Sequence, residues 1–204
     1  MDNMFYGCEA LAYIDLSGFN LENLKNANQM LAYCGNLEKI KFNENTITKN
    51  LETMEAMYMG CESLKNINTK IFKKNKLRNL NDVFNGCISL KEIDLSYFET
   101  EYMTELLSTF ENCKSLEKIN FTNFDTSRVE RMDYMFYGCE SLIYLDLSDF
   151  NLENLTYSAN MFAYCINLIE IRFNDNTSTK NLEFMEAMFR GCESLESINT
   201  KIFK

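Results

Sequence analysis

The chain contains no histidine, no proline and no tryptophan, and only seven of its 204 residues are glycine. Without histidine, neither a Ser-His-Asp relay nor a Cys-His nucleophile can be assembled. Zinc sites lose one of their two usual ligand types, and no two cysteines lie closer than 26 residues, so the Cys-x-x-Cys kind is missing as well. Scarce glycine and absent proline argue against a collagen-like or disordered chain, and neither common phosphate-cradling glycine loop occurs. Basic charge is also short. Twenty Lys and Arg face 30 Asp and Glu, a net charge of −10, which opposes nucleic acid and anionic lipid as partners despite the local basic run from Lys70 to Arg78. No apolar run reaches the ~20 residues of a membrane span, and Met1 to Cys8 lacks the basic-then-apolar order of an export signal. We therefore expect no cofactor, no metal, no nucleic-acid partner and no membrane insertion by this segment.

What the chain does contain is repetition. Cys8, Cys34, Cys61, Cys87, Cys113, Cys139, Cys165 and Cys192 recur at steps of 26 or 27 residues, and aligning on them gives eight copies of one unit, starting near residues 4, 30, 57, 83, 109, 135, 161 and 188. A period between about 20 and 50 residues signals a solenoid, in which one supersecondary unit stacks on the next. A longer period overlies it: residues 1–73 match 132–204 at 51 of 73 positions, so five units make a super-repeat of 131 residues. No linker interrupts the pattern, and 46% hydrophobic content is ample for a core. The expected organisation is one domain over 1–204. Neither end reads as a polar cap, so a piece of a longer array is the expectation.

Within a unit, Leu116, Ile119 and Phe121 lie among Glu117, Lys118 and Asn120, and Leu142, Leu145 and Leu147 repeat the arrangement. Around Ile119 the period is two, that of a short strand with one buried face. Eight such strands would stack into one parallel sheet about 40 Å long. Val129, Met132, Met135 and Phe136 then follow at helical spacing, with Ser127 and Glu130 placed as a capping box, which predicts one short helix per unit. It would end at Gly138 or its counterparts Gly7, Gly60, Gly86, Gly191 and Asn112, where a left-handed residue reverses the chain. Tyr33 and Tyr164 occupy the same slot and are expected to turn differently. Phe5, Phe84, Phe110, Phe136, Phe162 and Phe189 should form one interior stack, and Met30, Met57, Met135, Met161 and Met188 another.

Met135, Phe136, Gly138, Cys139, Ser141, Leu142, Leu145, Asp146, Leu147, Ser148 and Phe150 resemble the repeat of BspA-like leucine-rich-repeat surface proteins, and all eight units carry the likeness. The resemblance implies an α/β solenoid, a right-handed leucine-rich-repeat coil with a short parallel strand and a short helix in each turn. It implies display on a microbial cell surface as part of a larger protein, a role in adhesion or interaction, and no catalytic residues. Two departures stand out. Lys41-Phe42-Asn43 and Arg172-Phe173-Asn174 replace the Asp-Leu-Ser strand end in units two and seven, and Asn68-Thr69-Lys70 and Asn199-Thr200-Lys201 replace it in units three and eight.

An even cysteine count invites a disulfide reading, but parallel side chains in a ladder point the same way, and a bridge needs them turned toward each other. The eight cysteines are read as a buried thiol column, each a small apolar residue with a weak donor. The outward strand columns carry the variation: Tyr13, Lys39, Asn66, Glu92, Lys118, Tyr144, Glu170 and Ser197 in one, Asp15, Lys41, Asn68, Asp94, Asn120, Asp146, Arg172 and Asn199 in the next. Variation on a fixed scaffold marks a recognition face, and Tyr and Arg are favoured anchors. The candidate binding residues are thus Tyr13, Asp15, Lys39, Lys41, Glu92, Asp94, Lys118, Tyr144, Asp146, Glu170 and Arg172, for a protein or glycan ligand. The alternative is a structural spacer whose exposed strand edges stack end to end into rods or filaments.

Overall fold

A computed structural model describes residues 1–199, 202 and 203. Thr200 and Lys201, part of the altered strand end of unit eight, lie outside the described residues, as does Lys204. The chain is a stack of turns held by parallel backbone ladders. Six short strands are present: β1 (Tyr13–Asp15), β2 (Lys39–Lys41), β3 (Glu92–Asp94), β4 (Lys118–Asn120), β5 (Tyr144–Leu147) and β6 (Glu170–Phe173). They pair in parallel with Tyr13 beside Lys39, Glu92 beside Lys118, and Tyr144 beside Glu170. Each central Ile or Leu points inward and its neighbours point out, the alternation that a half-buried strand requires.

The single continuous sheet expected from the sequence is not formed. Among the described residues three two-stranded sheets replace it. In each pair the second strand is followed by an inward phenylalanine, Phe42, Phe121 or Phe173, where the first carries Leu16, Leu95 or Leu147. Phe121 lies edge-on to Phe150 of the following unit at 4.9 Å. In unit three the chain leaves the strand altogether, because Asn68 accepts from the backbone of Lys70 and caps a 3-10 helix at Thr69–Phe72.

The helix expected in each unit is absent too, since the described residues contain no α-helix. Residues 133–138 are instead consecutive turns. The N–H groups of Met135, Tyr137 and Cys139 bond three residues back, whereas those of Met132, Tyr134, Phe136 and Gly138 cross to Tyr157, Ala159, Met161 and Ala163 of the next unit. A helix must keep these N–H groups for its own carbonyls, so alternate export to the neighbour excludes it. Ser127 and Glu130 form no capping box. The Ser127 amide bonds to Asp125 and that of Glu130 to the carbonyl of Thr104 in the preceding unit. Apolar residues three and four apart are buried all the same, because each turn returns its side chain to the interior.

Two left-handed residues per unit make this possible. One column is Asn3, Gln29, Ala56, Asp82, Ser108, Tyr134, Asn160 and Ala187, at φ between 49° and 57°. The other is Gly7, Tyr33, Gly60, Gly86, Asn112, Gly138, Tyr164 and Gly191, at φ between 57° and 73°. Tyr33 and Tyr164, expected to differ, adopt the same turn at φ 60° and 61°. The conformation costs a non-glycine residue about 1–2 kcal/mol, and the ladder bonds on either side hold it.

Inside, Tyr58, Phe84, Phe110, Phe136, Phe162 and Phe189 stack with centroids 5.4 to 6.0 Å apart and planes within 10°. Beside them run the cysteines. Each thiol from Cys34 onward donates to a carbonyl of the preceding unit, for example Cys113 to Phe84 at 3.0 Å and Cys139 to Phe110 at 3.1 Å. Cys34, Cys61, Cys87, Cys113, Cys139 and Cys165 are buried, Cys192 is partly buried and Cys8 is exposed, and all are free thiols.

Candidate functional site

The outward side chains of the strands define three patches. On β1 and β2, Lys41 Nζ lies 2.8 Å from Asp15 Oδ2, and the Tyr13 hydroxyl donates to the same carboxylate oxygen at 3.4 Å. Asn120 on β4 donates to Asp94 on β3 at 2.9 Å, and Arg172 on β6 lies 3.9 Å from Asp146 on β5. Ladder register brings these partners together. The two tyrosine-centred clusters, Tyr13 with Lys39 and Tyr144 with Glu170, belong to different sheets and do not meet.

Each strand-end aspartate also makes a local turn. Asp15, Asp94 and Asp146 accept from the backbone N–H of Ser17, Ser96 and Ser148 at 2.9, 3.0 and 2.9 Å. That explains the Asp-x-Ser spacing as chain reversal after the strand. The same contacts fix ionisation. The Lys41 ammonium, and then Ser17, hold Asp15 well below the usual carboxylate range, while hydrogen bonds from Ser96 and Ser148 lower Asp94 and Asp146. Lys41 is raised in return by Asp15. Carboxyls kept ionised in this way are hydrogen-bond acceptors and are poorly suited to donate a proton at neutral pH. Exposed pairs of this kind are screened by water and add little to stability; what they set is the charge pattern of the face.

Between the second and third sheets the surface opens into a groove of about 670 Å³, lined by Glu92, Asp94, Lys118, Asn120, Tyr144 and Asp146 with Ile93, Ile119 and Leu145 at its floor. Here the sequence candidates converge. Tyr144 is the most exposed of the large hydrophobic side chains on this face, at 65%. Asn66 of unit three also reaches this groove. Lys39 and Tyr13 lie on the first sheet, outside it, and Glu170 and Arg172 line a separate hollow with Asn174 and Asn176.

Sequence reasoning passed over the turn side of the coil. There Tyr6 and Tyr33 meet edge to face at 5.3 Å, and Tyr137 and Tyr164 repeat the contact at 5.3 Å one super-repeat later. The rings of Tyr33 and Tyr164 overhang Gly60 and Gly191, where a β-carbon would come within 2.9 and 2.8 Å. The doubling of Tyr6 and Tyr33 in Tyr137 and Tyr164 was the available signal. Among the described residues no cluster of three or more metal-ligating side chains forms, and no helix is long and apolar enough to cross a membrane.

Several solved structures resemble the chain, among them the following three. A leucine-rich-repeat protein of T. pallidum is 20% identical, with a TM-score of 0.46 over 96% of this chain and 70% of its own. A leucine-rich cell surface protein of Faecalibacterium prausnitzii is 15% identical, with a TM-score of 0.37 over 92% and 70%. A leucine-rich-repeat protein of Bacteroides ovatus is 18% identical, with a TM-score of 0.28 over 97% and 69%. The stacked-turn fold rests on the parallel ladders of this chain itself. No curated protein matches it. The family described as "Mycoplasma protein of unknown function, DUF285" matches residues 1–71, 52–172 and 78–202, and with nearly every unit thus accounted for, the chain belongs to that family.

Proposed function

We propose that this domain is a non-enzymatic interaction module, part of a microbial surface protein, that binds a protein or glycan through the outward face of its strands. The observation carrying this reading is the groove beneath Tyr144. It combines an exposed aromatic ring with Lys118, Asn120 and the ionised Asp94 and Asp146, a set that offers donors, acceptors and an apolar surface together. Tyr144 and Arg172 are the proposed anchors, with Tyr13, Asp15, Lys39, Lys41, Glu92 and Glu170 modulating specificity along the coil. Surface placement rests on the likeness of the repeat to that of BspA-like surface proteins.

The test is binding of the purified domain to arrays of immobilised host-surface proteins and oligosaccharides, repeated with Tyr144→Ala plus Arg172→Ala. Loss of at least about tenfold in affinity with unchanged folding supports the reading. A ligand that binds both forms equally removes this face. Labelling of intact cells with an antibody to the domain tests placement, and signal only after lysis would contradict it.

A second reading is favoured by the polarity of the ladder. At the turn side each unit donates N–H groups to the carbonyls of the next, as Phe136 does to Met161 and Phe162 to Met188. Any unit can therefore continue the stack, within one chain or between chains, and the domain would act as a spacer or rod. A sedimentation coefficient that stays monomeric at millimolar concentration would count against association between chains.

A further inference from the structure

Residues 1–73 and 132–204 differ at 22 positions, and four of the changes in the turn segments replace a small polar or thioether side chain by a ring or a guanidinium. Asn3, Asn26, Thr53 and Met59 in the first copy become Tyr134, Tyr157, Phe184 and Arg190 in the second. Small polar and thioether side chains are thus exchanged for three aromatic rings and a guanidinium. These residues, with Arg131, make two chains of contact. Arg131 stacks on Tyr157 at 4.7 Å, and Tyr157 stacks face to face on Phe184 at 4.6 Å with planes 2° apart. Starting three residues after Arg131, Tyr134 meets Tyr137 at 5.8 Å, Tyr137 meets Tyr164 at 5.3 Å, and Arg190 lies over the Tyr164 ring at 5.7 Å.

Two further observations separate this surface from ordinary solvated turns. Tyr134 is 40% exposed yet held at φ 57°, a conformation that asparagine, its counterpart at position 3, adopts far more readily. In the other units this column carries Asn, Gln, Ala, Asp or Ser, so the aromatic ring is particular to this turn. The two arginines also differ: Arg131 is neutralised by Asp133, with Nε and Nη2 both at 3.1 Å from Oδ2, whereas Arg190 makes no ion pair among the described residues and is fixed only by the Tyr164 ring. Its planar fork of donors is therefore available for a carboxylate.

From this we infer a second interaction surface, on the turn side of units six to eight, that takes a protein segment presenting a carboxylate among apolar side chains. Arg190 pairs with the carboxylate and Tyr134, Tyr137 and Tyr157 supply rigid amphipathic contacts. Tyr, Phe and Arg are the residues enriched at the cores of protein interfaces. The site is independent of the groove under Tyr144.

A phage-displayed library of random short peptides, selected on the intact domain, tests it. Enriched sequences should carry Asp or Glu beside apolar residues. Their affinity should fall at least about 30-fold, equivalent to 2 kcal/mol, in the variant Tyr134→Asn, Tyr157→Asn, Phe184→Thr, Arg190→Met. Every substituted residue occurs at the matching position of residues 1–73, so the variant should keep the wild-type urea midpoint. Binding should survive Tyr144→Ala with Arg172→Ala, which separates this surface from the strand face. Selection of peptides without carboxylates, equal binding to the fourfold variant, or no enrichment at all would overturn the proposal. So would a panel of oligosaccharides that binds here in place of peptides.

Discussion

Raising the pH should unfold this domain by ionising its thiol column. Cys34, Cys61, Cys87, Cys113, Cys139 and Cys165 are buried among the stacked rings, and burial is the largest cause raising each of them, with Cys61 and Cys165 pushed up to about 12. An unfolded thiol ionises near 8.5. A group whose folded pKa is raised contributes stability that is complete below the unfolded pKa and lost as the pH climbs toward the folded one. The window therefore opens at about pH 8.5. Within it each deeply buried thiol removes about 1.4 kcal/mol per pH unit and Cys34, near the end of the stack, less, so the column removes on the order of 7 kcal/mol per unit. Against a total stability of ~10 kcal/mol, unfolding is expected near pH 10. The assay is urea denaturation under reducing conditions at intervals from pH 7.5 to 10, on the wild type and on Cys113→Ala with Cys139→Ala. Tyrosine and lysine titrate in both proteins, so the difference between slopes isolates the thiols. Removing two of six should flatten the slope by about a third. Stability independent of pH across this range, or equal slopes, would refute the buried column.

Other outcomes follow from single side chains. The Tyr58 hydroxyl is buried with no hydrogen-bond partner among the described residues, and its super-repeat counterpart is Phe189. Tyr58→Phe should stabilise by about 1 kcal/mol, read as a higher urea midpoint, whereas a lower midpoint would mean the hydroxyl is satisfied. Gly60→Ala forces a β-carbon into a φ of +68° and against the Tyr33 ring, so a loss of about 1–2 kcal/mol is expected. Part of that loss should be recovered in Tyr33→Ala, and strict additivity of the two changes in a double-mutant cycle would count against the contact.

The sequence carried most of the architecture because stacking makes identical demands on every turn. Ile14, Ile40, Ile93, Ile119, Leu145 and Ile171 must all face inward, so a period-two signal of only three residues became legible by repetition. The turn segment misled for a physical reason. Met132, Met135 and Phe136 are spaced as on a helix, yet a succession of three-residue turns buries the same positions, and only the destination of the alternate N–H groups tells the two apart. Backbone bonding between units leaves no mark in side-chain pattern. The interruption of the sheet was similarly hidden, since the strands on either side of each break carry the same apolar alternation. At the candidate site, the pairing of Asp15 with Lys41 and of Asp146 with Arg172 follows directly from the repeat register. The groove under Tyr144 does not, because it depends on where the strands stop pairing.

Amide hydrogen exchange, resolved by residue, tests the stack most directly. In the turn segments of interior units, amides such as Phe84, Phe110 and Phe136, whose bonds cross to Thr109, Met135 and Met161, should be the slowest, and the pattern should recur every 26 or 27 residues along the chain. Uniform protection of each segment, as a helix gives, or protection confined to one half of the chain would contradict a single coil held together from turn to turn.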